Sequence, residues 1–159
     1  MKTITVFKGD GIGPEITDAV RAILDASKAP LSYEIFNVGA AEYEKNGALI
    51  PDAAFASFEK TRILLKSPIT TPIGKGFRSL NFPLRNKYDL YANIRPAKVY
   101  PQLIQASPLK DTVARELDLI VLRENTAGIF YAGKYRKETG GELTACDECV
   151  YTWSQIERH

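Results

Sequence analysis

The first ninety or so positions alternate between two hydrophobic periods. Thr3-Ile4-Thr5-Val6-Phe7 is β-branched and aromatic, and it runs into Gly9-Asp10-Gly11-Ile12-Gly13-Pro14-Glu15, a turn cluster whose Pro14 suits the first turn of a helix. Ile16, Ala19, Val20, Ile23 and Leu24 then recur at three- and four-residue intervals, which predicts an amphipathic helix ended by Lys28-Ala29-Pro30. A strand is expected over residues 31–38, a short helix over 40–45, a break at Asn46-Gly47, a Pro51-initiated helix through Phe58 and a buried strand over 62–66. Strands alternating with helices imply an α/β fold: a mainly parallel sheet with helices on both faces, whose ligands bind at the carboxyl ends of the strands.

The character changes after Asp89. Residues 90–94 read as a strand, Pro96, Pro101 and Pro108 break up the stretch beyond it, and a domain crossover is expected there. Residues 117–121 form a continuous apolar strand that ends at Arg123-Glu124-Asn125. The glycines between Gly128 and Gly133, with Gly140-Gly141, predict a β-rich arm whose return strand covers 143–153. There is no internal repeat and no low-complexity tract.

A chain of 159 residues, 45% hydrophobic and 25% charged, is long enough to bury a core. Its net charge of +2 is spread along the sequence, so no long-range field would attract nucleic acid or an anionic membrane. No apolar run approaches the roughly 20 residues of a membrane span, and no signal-peptide pattern follows Met1, so a cytoplasmic protein is expected. Cys146 and Cys149 are too few and too close for a disulfide framework. Their C-x-x-C spacing lacks the further ligands zinc needs, and an exposed turn in the arm is the reading preferred. His159, the only histidine, is terminal and expected to fray.

Candidate chemistry concentrates after the strand at 62–66. Pro83 is tolerated only in a helix's first turn, so the next helix must begin near residues 79–81, with backbone N–H groups directed at an anion and Ser79 and Asn81 as donors to a carboxylate. Arg85 lies one turn further, Arg95 is expected to end the next strand and Arg123 the one after, where a parallel sheet presents ligands. Three guanidinium groups suit a substrate with several carboxylates. Spacing alone also allows surface arginines with acidic neighbours, and it allows the Gly9–Glu15 segment to be simply a turn ahead of a helix.

From Gly9-Asp10-Gly11-Ile12-Gly13-Pro14-Glu15 through Asp89-Leu90-Tyr91-Ala92-Asn93-Ile94-Arg95-Pro96 to Arg123-Glu124-Asn125 and Tyr131-Ala132-Gly133, the chain resembles the isocitrate and isopropylmalate dehydrogenase family, the metal-dependent β-decarboxylating dehydrogenases. Thr71-Pro72-Ile73-Gly74 with Ser79-Leu80-Asn81 resembles the isocitrate branch. The resemblance implies that Ser79 and Asn81 meet the distal carboxylate of isocitrate, that Arg85, Arg95 and Arg123 clamp the others, and that Ile69, Thr70 and Thr71 line the nicotinamide ring. Tyr131 matches the family's acid–base tyrosine by its Tyr-Ala-Gly context, whereas counting from Arg123 points to Phe130.

The resemblance further implies residues 1–95 as the N-terminal part of a large α/β domain and 96–159 as part of a small domain with a dimerisation arm. It implies an oxidoreductase of the tricarboxylic acid cycle using NAD or NADP with Mg²⁺ or Mn²⁺. The family draws its metal-ligand aspartates, its catalytic lysine and most of its adenosine site from beyond the Tyr151-Thr152-Trp153-Ser154-Gln155-Ile156-Glu157-Arg158 match, and no metal ligand is assigned here. The expectation is therefore a truncated or split isocitrate dehydrogenase, as a homodimer or with a complementary C-terminal chain. The alternatives are a non-catalytic binding protein for isocitrate or a similar polycarboxylate, and a regulatory subunit.

Overall fold

The computed structural model describes residues 1–70 and 79–158, which form two compact units, Met1–Phe82 and Pro83–His159. In the first, β1 (Lys2–Phe7) lies between two parallel neighbours: β2 (Leu31–Phe36), in register from Lys2 opposite Leu31 to Phe7 opposite Phe36, and β3 (Leu64–Lys66), from Thr5 opposite Leu64 to Phe7 opposite Lys66. The order β2-β1-β3 places the most buried strand in the middle, and Val6 and Phe7 are fully buried.

Helices cover both faces of this sheet. Tyr33, level with Ile4, donates its hydroxyl to Asp25 at 3.1 Å and lies under the Arg21 guanidinium at 5.1 Å, which fixes α1 (Gly13–Ala26) on that face. On the other face the Thr5 hydroxyl sits 2.7 Å from those of both Ser57 and Thr61 in α3 (Asp52–Thr61). Glu34, level with Thr5, pairs with Lys60 of the same helix at 2.8 Å. α2 (Ala40–Asn46) precedes α3 and ends at Gly47, whose φ of 73° gives the left-handed cap.

α1 begins at Gly13 with Pro14 in its first turn, as the sequence indicates, whereas other boundaries differ. β2 stops at Phe36 and leaves Val38 buried in the following loop. β3 is three residues long and half-buried, because Arg62 adopts φ 60° and closes α3 by donating its N–H to Phe58 O at 2.8 Å.

The second unit contains the last turns of α4 (Asn81–Lys87), then β4 (Ala92–Lys98), α5 (Asp111–Glu116) and β5 (Asp118–Glu124). β4 and β5 pair antiparallel, from Ala92 opposite Glu124 to Lys98 opposite Asp118. Pro96 does not break β4: a strand paired on one side only tolerates a missing donor. The apolar run of β5 is exposed, with Leu119, Ile120, Val121 and Leu122 at 46–64%.

The arm is a hairpin of β6 (Lys134–Thr139) and β7 (Glu142–Asp147), turned by Gly140 and Gly141, both at positive φ as a two-residue hairpin turn requires. Its return strand ends at Asp147 rather than at residue 153. Trp153 instead opens α6 (Trp153–Glu157), because Thr152 and Gln155 form a reciprocal capping box. No helix among the described residues is long and apolar enough to cross a membrane.

Candidate functional site

β1 and β3 are parallel neighbours, so the loops that follow them emerge at the same end of the sheet. They are packed together too closely for side chains. A Cβ on Gly9, at φ 69°, would stand 2.1 Å from Pro68 O, and one on Gly13 would stand 2.8 Å from both Lys8 O and Pro68 O. The Ser67 hydroxyl donates to Gly13 O at 2.9 Å and accepts from the Thr17 hydroxyl at 2.8 Å, all of it buried.

Asp10 ties in a third loop. One carboxylate oxygen accepts the Thr70 N–H at 2.5 Å and the other accepts the Ala40 N–H at 2.8 Å. Burial pushes this carboxyl up, but the hydrogen bonds from Thr70 and Ala40 outweigh it and hold Asp10 below the ordinary aspartate value. Ile69 is half-buried and Thr70 exposed, whereas Thr71 lies outside the described residues. Gly11 and Ile12 are exposed beside Thr70, and a Cβ on Gly11 would come within 3.0 Å of the Thr70 hydroxyl.

Ser79 and Asn81 belong to the first unit. Ser79 lies two residues before α4, its carbonyl taking the Phe82 N–H at 2.9 Å and its hydroxyl the Asn81 N–H at 3.4 Å. Arg85 follows in the last turn of that helix.

Arg95 and Arg123 do not stand at the ends of parallel strands, because their sheet is an antiparallel ribbon. Arg95 is mid-strand rather than terminal. The register nevertheless brings them together: Asn93 is opposite Arg123, and Arg95 two residues on shares its face, so the two arginines are diagonal neighbours. Arg95 Nε donates to Asn93 Oδ1 at 3.3 Å. Arg123 and Glu124 also line a cavity of about 560 Å³ with Val121, Leu122, Ala127, Ile129 and Tyr151.

Tyr131 is half-buried just after the Gly128–Phe130 turn. Burial pushes its phenol up, Arg85 works against this and Glu124 reinforces it, so the hydroxyl feels both charges. Gly128 makes the turn fit: a Cβ there would stand 2.4 Å from Tyr151 Oη.

Sequence reasoning misses the clasp behind these residues. Arg158 Nη1 donates to Asp89 at 2.8 Å, its Nη2 donates to the Thr126 hydroxyl at 2.7 Å and lies 3.6 Å from Glu124, and its guanidinium stacks 4.3 Å from the Tyr91 ring. Asn125 N–H donates to Tyr91 O at 2.9 Å, so the Arg-Glu-Asn segment is held from two sides. The one available signal is Glu157-Arg158 closing a capped helix.

Among the described residues no group of three or more His, Cys, Asp or Glu side chains could hold a metal ion. Cys146, on β7, and Cys149, exposed beyond it, are free thiols.

Residues 3–159 match the family described as isocitrate/isopropylmalate dehydrogenase. The chain is 41% identical over 139 residues to an isocitrate dehydrogenase [NADP] of Thermus thermophilus, an alignment covering 87% of this chain and 27% of the relative. It is 42% identical over 126 residues to the mitochondrial isocitrate dehydrogenase [NAD] subunit 2 of Kluyveromyces lactis, covering 79% of this chain and 32% of that one. The crystal structure of isocitrate dehydrogenase from Methylococcus capsulatus superposes with a TM-score of 0.78 at 34% identity, over 99% of this chain and 45% of that chain. The chain thus spans about a third of the length of the curated relatives it matches. Fold and sequence agree, and the chain belongs to the isocitrate/isopropylmalate dehydrogenase family.

Proposed function

We propose that this chain supplies the substrate clamp and the nicotinamide-facing loops of a cytoplasmic isocitrate dehydrogenase-type oxidoreductase. The complete activity is oxidative decarboxylation of isocitrate to 2-oxoglutarate with NAD or NADP and Mg²⁺ or Mn²⁺, carried out with the remaining length that the relatives possess. The observation that carries the reading is the common face of Arg95, Asn93 and Arg123 on the β4–β5 ribbon, two planar forks side by side as a polycarboxylate requires.

In this reading Arg85, Arg95 and Arg123 hold the carboxylates, and Ser79 and Asn81 meet the distal one. Tyr131 keeps its proton at neutral pH, since burial raises its phenol, and it donates from Oη during the acid–base step. A bound nicotinamide dinucleotide supplies the hydride acceptor, with Ile69, Thr70 and Thr71 lining its ring. The described residues do not form a metal site, so no step is assigned to this chain through the cation. Residues 1–95 are read as part of a large domain, and 96–159 as part of a small one whose arm pairs subunits. Relatives named as subunits of NAD-dependent enzymes support assembly, as a homodimer or with a complementary chain.

Calorimetry of the chain with isocitrate tests the clamp. Binding that weakens by about tenfold or more in Arg95→Ala and Arg123→Ala is expected, as for lost hydrogen bonds to charged groups. Equal affinity in all three proteins would sink the assignment.

A further inference from the structure

Every loop at the carboxyl end of the parallel sheet converges on one side chain that the proposed chemistry leaves unused. Asp10 accepts from Thr70 in the loop after β3 and from Ala40 at the start of α2, while its own backbone belongs to the loop after β1. Three glycines clear space around this contact. A Cβ on Gly39 would stand 2.4 Å from Asp10 Oδ2, one on Gly9 would strike Pro68 O, and one on Gly11 would crowd the Thr70 hydroxyl. A carboxylate is the group that fits, because it offers two acceptors and no donor. Asparagine would turn an amide N–H toward one of the two N–H groups. The last backbone bond from β1 to this strand is Ser67 N–H to Phe7 O at 3.0 Å, so at Thr70, three residues further on, the Asp10 carboxylate takes over.

We propose that Asp10 is the positioning residue for the nicotinamide-facing loop: its two-sided grip on Thr70 and Ala40 sets the height of Ile69 and Thr70 above Gly11. This rests on the reading of that loop as the nicotinamide wall. Asp10 does not touch the reacting atoms. It acts through Thr70 and governs dinucleotide affinity rather than the chemical step.

The test uses the full ¹⁵N-labelled chain and its Asp10→Asn variant. Amide exchange at Thr70 and Ala40, referenced to Val6 in the buried strand, should be faster by about tenfold or more in the variant, with Val6 unchanged. Unaltered protection at Thr70 and Ala40 would overturn the proposal. Should the variant fail to fold, the wild-type pH profile decides. The groups among the described residues that act on this carboxyl are the N–H groups of Thr70, Ala40 and Asp10 itself and the Thr70 hydroxyl, with no charged side chain among them. Protection at Thr70 and Ala40 should therefore collapse together, below the ordinary aspartate range, whereas separate transitions would overturn the grip. Titration with nicotinamide mononucleotide, which calls on no adenosine site, adds the ligand arm. Weaker binding by Asp10→Asn supports positioning, and equal binding despite a broken grip refutes it. Failure of the mononucleotide to shift the amides of Gly11, Ile69 and Thr70 in the wild-type chain, with the grip intact by exchange, would refute the nicotinamide reading and leave the grip itself established.

Discussion

Arg158 stacks its guanidinium 4.3 Å over the ring of Tyr91 while its two terminal nitrogens hold Asp89 and Thr126. A side chain at the far end of the chain thus fastens the start of β4 and the segment following β5. Arg158→Ala should lower unfolding stability by about 1.5–3 kcal/mol, the scale of hydrogen bonds to charged groups. The lower half of that range is expected, because the Asp89 side chain is 63% exposed. Arg158→Lys should recover little, since lysine lacks the planar fork. Urea melts read both.

Thr5 is the one fully buried polar side chain in the central strand, and its hydroxyl meets Ser57 and Thr61. Thr5→Val preserves volume but removes the shared partner, at a cost of about 1–3 kcal/mol. Thr61 keeps Ile63 O at 3.2 Å and Ser57 keeps the Glu34 carboxylate, so neither hydroxyl is orphaned and the lower half of that range is expected. A fall in the denaturation midpoint equivalent to well over about 3 kcal/mol would contradict this.

Gly9 and Gly47 have nearly the same φ, 69° and 73°, in opposite surroundings. Gly47→Ala meets nothing within 4 Å and should cost about 1–2 kcal/mol of left-handed strain. Gly9→Ala must also push Pro68 aside and should cost several times more or prevent folding, as thermal melts would reveal.

Tyr131 has a raised phenol, so the folded state holds that proton more tightly than the unfolded chain does. Its contribution to stability is fully present below the unfolded value of about 10 and is lost as pH rises through the higher folded value. Tyr131→Phe should abolish that alkaline component. Spectrophotometric titration of wild type minus variant should give one late tyrosinate transition, and a difference transition at or below the ordinary value would refute the burial argument.

Much of the first unit is legible in the sequence because strand and helix periods alternate cleanly there. Arg62 is the exception: nothing in an apolar neighbourhood marks a non-glycine residue for a left-handed cap, so it reads as strand. Pro96 reads as a breaker because the sequence does not say that β4 is paired on one side only. For Arg95 and Arg123 the residue types are readable, but their common face comes from an antiparallel register set by residues twenty or more positions apart. Trp153 is different, since Thr152-x-x-Gln155 is a helix-start signal carried by the sequence itself, and the strand expectation overlooks it. Asp10 and Arg158 are invisible as fasteners because each acts on partners distant in sequence.

The order β2-β1-β3 also governs what happens during synthesis. The middle strand is the first made, and its last partner, beginning at Leu64 opposite Thr5, lies roughly sixty residues behind it. At about 5–20 residues per second, the ribosome leaves one edge of β1 waiting some 3–12 s. The threonines at positions 3 and 5 keep one face of that waiting strand hydrated, and Thr5 exchanges water for Ser57 and Thr61 only when α3 arrives. A hydroxyl that is a modest asset in the finished sheet thus also makes one face of the waiting strand less apolar.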